Sequence, residues 1–198
     1  IHSTADDVTI IRCNFNHLNA GVTTGDIWLD PGSHCTIEKC IFDQPRSAAL
    51  GAINIDGGIS DGRDNKVIDN IFYYTSTSVG ETAIDVSNVS NMLIRGNTIY
   101  GNAADVATSA IDCRNTHANT GLHIVENTIY NWSCDTVPNT DSGIKVTSWG
   151  DTIIEGNISG DTNTEAAIHV VTSSSVSILG NVVDRTGGAT TGLVIVEG

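Results

Sequence analysis

Four ionisable residues, Asp85, Asp112, Lys145 and His169, each hold the middle of an apolar-x-apolar triplet: Ile84-Asp85-Val86, Ile111-Asp112-Cys113, Ile144-Lys145-Val146 and Ile168-His169-Val170. If the fold sets them side by side, two carboxylates about 5 Å apart resist ionising together, which raises one pKa and supplies an acid and a base. Alternatively the pair gathers a Ca²⁺ ion, the one cofactor this sequence offers. A lyase on an acidic polysaccharide needs a cation against the substrate carboxylate and a base beside it, for which Lys145 or Arg114 qualifies. The same residues also read as a solvated face, with Asp112 and Lys145 paired for a few tenths of a kcal/mol.

Two further carboxylates, Asp141 and Glu165, stand three residues ahead of Ile144 and Ile168 and form a second acid/base candidate set. Tyr73, Tyr100 and Tyr130 each follow the apolar residue that closes a strand, so alternation turns them outward; with Trp132 nearby they offer apolar faces to sugar rings, or pack against a loop or partner chain. Asp56, Asp61 and Asp64 lie among glycines and could hold Ca²⁺, although their spacing is not that of an EF-hand and an acidic turn reads equally well.

These groupings depend on elements that bring distant residues together, and the chain supplies them by repetition. A template of apolar, two residues, Asn, one residue, apolar fits Val67–Phe72, Ile94–Ile99, Ile124–Ile129 and Ile178–Val183, with partial copies led by Ile11, Ile37 and Ile154. The apolar-x-apolar triplets alternate with it, from Ile27-Trp28-Leu29 to Leu193-Val194-Ile195. Strict alternation is the signature of half-buried strands, and constant strands joined by loops of varying length suit a coil whose strands stack on their counterparts. The expectation is an all-β, parallel β-helix of about seven rungs over residues 1–198, one domain. Asn14, Asn70, Asn97, Asn127, Asn157 and Asn181 would form an internal ladder, with Cys40 as its gap.

Residues 94–100, Ile-Arg-Gly-Asn-Thr-Ile-Tyr, and the stretches around Asn127 and Asn181 resemble the coils of the right-handed β-helix, pectate-lyase-like superfamily. That resemblance implies the fold; its members include lyases, hydrolases, epimerases, phage tailspikes and non-catalytic surface proteins. Asn139-Thr140-Asp141-Ser142-Gly143-Ile144 further resembles the Asn-Thr-Asp-Gly-Ile motif of polygalacturonase-type hydrolases, which makes Asp141 an acid or base by analogy. Here a Ser precedes Gly143, and no Asp-Asp pair follows on the next rung.

Composition bounds the partners. Nine Lys+Arg against 23 Asp+Glu give a net charge of −14, which opposes a phosphate-binding surface for nucleic acid. No apolar run reaches the roughly 20 residues of a membrane span. Five irregularly spaced cysteines signal neither a zinc site nor a complete disulfide framework. Neither end carries a polar cap, so the expectation is a part of a larger chain or of a homo-oligomer or other assembly. The leading functional expectation is a structural and recognition module, extracellular or on a virion surface, that meets glycans or partner subunits. A polysaccharide lyase or hydrolase is the alternative.

Overall fold

The computed structural model describes residues 1–16, 25–43, 51–58, 62–74, 82–101, 109–117, 119–132, 142–160, 166–184 and 194–197. Among these there is no helix, and so none long and apolar enough to cross a membrane. The strands form three large parallel sheets. Sheet A has eight strands, from His2–Ser3 through Ile53–Asp56, Ile84–Ser87, Ile111–Arg114 and Ser142–Thr147 to Val194–Glu197. Sheet B has seven, from Thr9–Ile11 to Ser174–Leu179, and sheet C seven, from Asn14–Asn16 to Val182–Asp184. The chain visits A, B and C in turn and then begins again. Successive strands of one sheet are therefore one coil apart, and the protein is a parallel β-solenoid.

Alternation decides which residues enter the coil. In sheet A, Ile53, Ile84, Ile111 and Ile144 form one buried interior column, and Ile55, Val86, Cys113 and Val146 the next. Each buried Ile contributes roughly 1.5–3 kcal/mol of hydrophobic stabilisation. Behind sheet C, Phe15, Phe42 and Phe72 stack at 4.9 and 4.7 Å on successive rungs. Stacking also demands small residues where coils approach. A Cβ on Gly57 would stand 1.8 Å from the Asn88 carbonyl oxygen, so only Gly fits there.

Two corners bend every described coil, and both use residues in the left-handed region. On entry to sheet B these are Asp7, His34, Asp64, Asn91, Gly121, Asp151 and Ser175, with φ between 48° and 81°, and Asn88, Ser148 and Thr172 add a second such residue, φ 53°, 57° and 47°, just after the sheet A strand. Between B and C they are Arg12, Lys39, Asp69, Gly96, Glu126, Gly156 and Gly180, with φ between 54° and 66°. A single left-handed residue reverses the inward/outward parity and turns the chain sharply, so the residue after it points inward.

At the B–C corner that inward residue is the ladder asparagine. Asn97 Nδ2 donates to Asn127 Oδ1 at 2.9 Å and to the Val67 carbonyl at 3.0 Å, while its Oδ1 accepts from the Asn70 N–H and Nδ2, both at 3.0 Å. The same pattern repeats from Asn127 to Asn157 and from Asn157 to Asn181. The ladder amides thus bond corner backbone groups that would otherwise be buried without partners.

Two register assignments are corrected. Ile10, not Ile11, stacks on Ile37, so Cys13 takes the ladder position and Asn14 lies exposed at the start of a sheet C strand, paired with Ile41. Interior demand explains the shift: Ile10 is buried and Ile11 is 44% exposed. In the last sheet A strand, His169 pairs with Ile195 rather than Val194.

Candidate functional site

The outward column of sheet A runs His2, Trp28, Asn54, Asp85, Asp112, Lys145, His169, Ile195 in direct register. The four ionisable residues of the triplets therefore do become vertical neighbours. Their setting is not that of an open acid/base pair. Asp85 is 4% exposed, and both its oxygens accept from Arg114 Nη2, at 2.6 and 2.7 Å. Arg114 lies two residues beyond Asp112, hence on the same outward face one column over, and its Nε is 3.7 Å from Asp112 Oδ2. One guanidinium thus bridges carboxylates on two rungs.

Burial pushes the Asp85 carboxyl above the usual carboxylate range, and the Arg114 charge offsets this only in part. For Arg114, burial acts to lower the pKa but is outweighed by Asp85 and Asp112, so it moves up. A guanidinium held in this way keeps its proton and serves as a fixed positive clamp rather than a base. Three rungs from Asp85, His169 is buried, with Nε2 at 3.7 Å from Glu197 Oε2.

Sheet C presents a different face. Tyr73, Tyr100 and Tyr130 pair in register on successive rungs and are 38–39% exposed. Ring centroids are 5.2 and 5.7 Å apart with interplanar angles of 4° and 21°. The rings therefore spend their inner faces on one another and offer solvent a strip of edges and hydroxyls. Ile41 and Ile158 stand exposed in the adjacent column, and Asp43 and Gly160 continue the tyrosine column at either end. Gly160 is a floor for the last ring: a Cβ there would lie 3.3 Å from Tyr130 Cδ1.

The model of the right handed beta helix region matches residues 1–183. The chain belongs to that family. Neither the comparison with curated proteins nor that with solved structures gives a match. The shared feature is the coil itself.

Trp132 does not join the tyrosine strip. Asn131, at φ 52°, reverses parity after the strand, so Trp132 turns into the core of the β-helix and meets Tyr74 edge-on at 5.1 Å. Asp56 Oδ1 accepts from its own turn at Gly58 N, 2.9 Å away, while Asp64 faces His34 Nε2 at 3.4 Å and accepts from Asn91 Nδ2 at 3.2 Å. Among the described residues no group of three or more His, Cys, Asp or Glu is placed to hold a metal ion. Asp61, Asp141 and Glu165 lie outside the described residues.

One cluster escaped the sequence reading. His34 sits between Asp7, 3.7 Å from Nδ1, and Asp64 on the A–B corner, so three successive coils place acid, imidazole and acid in one column. Their separations of 27 and 30 residues match the repeat and were the available signal.

Proposed function

We propose that this β-helix is a rigid structural and recognition module of an extracellular or virion assembly, and that sheet C is the face it presents to glycans or partner subunits. The observation that carries this reading is the tyrosine strip: three half-exposed rings on a parallel sheet, fixed at one-rung intervals and flanked by exposed isoleucines. Pre-stacked rings lose little conformational freedom when a ligand or chain lies along them, which favours recognition. The clamped state of Asp85 supports the same reading, because its lone pairs are committed to Arg114. The net charge of −14 repels an acidic glycan from the chain as a whole, which favours a neutral glycan as the ligand.

The test compares the wild type with a variant carrying Tyr73→Ser, Tyr100→Ser and Tyr130→Ser, on an array of neutral and uronate-containing glycans and by light scattering. Loss of glycan binding or of self-association in a folded variant supports the reading. Unchanged binding and association overturn it. A second reading, cleavage of an acidic polysaccharide at sheet A, draws on the in-register run Asp85, Asp112, Lys145, His169. Release of unsaturated uronate ends, abolished by Asp112→Ala, would replace the first reading with the second.

A further inference from the structure

The rung-to-rung amide ladder starts at Asn70; above it the same corner column holds two sulfurs. Asn14 pairs with Ile41, and the Ile41 N–H donates to the Cys13 carbonyl at 2.9 Å, so Cys13 lies directly over Cys40. Both side chains take the same course. Cys13 Sγ donates to the Ile11 carbonyl at 3.6 Å and Cys40 Sγ to the Glu38 carbonyl at 3.4 Å, in each case the residue two positions back. Adjacent rungs are about 4.8 Å apart, inside the Cα separation that a disulfide spans. Cys13 is exposed, whereas Cys40 is 1% exposed. Burial raises the Cys40 pKa, and the neighbouring Cys13 thiol contributes to the rise.

The other described cysteines have no such neighbour in register. Cys113 stands between Val86 and Val146. Cys35 precedes Thr36 in a corner column where Val8 and Asn65 flank it. The Cys13–Cys40 stack also coincides with the place where the amide ladder is missing: the Cys40 N–H donates to Asn70 Oδ1 at 2.9 Å on the rung below, but no side-chain amide links Cys13 to Cys40.

We propose that Cys13 and Cys40 are an oxidisable pair that closes a rung-to-rung disulfide when the protein meets a low-molecular-weight disulfide. The exposed Cys13 gives its proton to solvent, and the thiolate attacks one sulfur of the oxidant, breaking its S–S bond and releasing one small thiol. Cys40 then loses its proton and attacks Cys13 Sγ, expelling the second small thiol and forming the protein S–S bond. The two cysteines give up two electrons and two protons; the oxidant, reduced to two thiols, takes both. The product continues the ladder covalently where asparagine is absent and ties the first coil to the second.

The experiment incubates the reduced, folded full chain with oxidised glutathione, then blocks remaining thiols under denaturing conditions and maps peptides without reduction. The proposal expects a cross-linked peptide pair containing Cys13 and Cys40, two fewer alkylated thiols and a mass lower by two hydrogens. In Cys40→Ser the reaction stops at a glutathione adduct on Cys13, while Cys35→Ser still forms the bridge. Free Cys13 and Cys40 after oxidation, a stable Cys13 adduct in the wild type, or a bridge from Cys13 to any other cysteine would overturn it.

Discussion

Asn97→Ala removes one amide from the middle of the ladder. Asn97 Oδ1 accepts from the Asn70 N–H, and its Nδ2 donates to the Val67 carbonyl, so both backbone groups lose their partners in a region closed to water. Each buried orphan costs about 1–3 kcal/mol, which places the variant about 4 kcal/mol below the wild type. For a chain of this length that is a fall in Tm of roughly 8–16 °C. Asn181→Ala is the internal comparison. Asn181 is only half-buried, at the last described rung of the ladder, so water replaces its bonds and the cost falls to about 1 kcal/mol. Asn97→Cys should fall between the two, since a thiol can share its single proton with the carbonyl one rung away, as Cys40 Sγ lies 3.6 Å from the Ile10 carbonyl, but accepts weakly. Urea and thermal midpoints by circular dichroism measure all three, read as midpoints because solenoids unfold by nearest-neighbour steps. An Asn97→Ala cost under about 1 kcal/mol, or equal to that of Asn181→Ala, would refute the ladder as a source of stability.

The Asp85–Arg114 pair should respond asymmetrically. Arg114→Met leaves a buried carboxylate without its partner and should cost about 3–5 kcal/mol at neutral pH, whereas Asp85→Asn leaves a half-exposed Arg114 beside Asp112 and should change stability by less than about 1 kcal/mol. The sign with pH follows from the raised Asp85 pKa: its stabilising contribution is complete below the usual carboxylate range and is lost as pH rises through the folded value. Asp85→Asn should therefore flatten that part of the stability–pH curve, and an unchanged curve counts against the assignment. Glu126 is exposed at φ 55° in a corner column where Gly96, Gly156 and Gly180 hold the equivalent place. Glu126→Gly should relieve about 1 kcal/mol of left-handed strain, less the entropy of the added Gly, and raise the thermal midpoint slightly; a clear fall would refute the strain.

The β-helix was legible because its signal is redundant. Ile84, Ile111 and Ile144 repeat one interior requirement, so a single template finds many coils, and alternation then assigns Asp85 and Asp112 to one outward column. The corners were less legible. Their left-handed positions accept Asp, His, Asn, Ser, Lys, Arg and Glu as well as Gly, because strained residues at a corner are tolerated when stacked coils hold them. A hidden parity change at Asn131 is why Trp132 is expected outside and lies inside, whereas the first coil reads one residue out of register because Ile10 and Ile11 are both apolar and Asn14 stands at template spacing from the wrong one. The Arg114 clamp was invisible for another reason: its partner Asp85 is 29 residues away and on a neighbouring column, so triplet spacing alone does not pair them.

Through-space magnetisation transfer between side-chain amide protons tests the stacked coil most directly. In a labelled sample, Asn97 and Asn127, 30 residues apart, should show strong cross-peaks between their Nδ2 protons, with matching cross-peaks from Asn70 to Asn97 and from Asn127 to Asn157. Amide groups that exchange freely with solvent and show no such cross-peaks would contradict the coil, and with it every outward column derived from it.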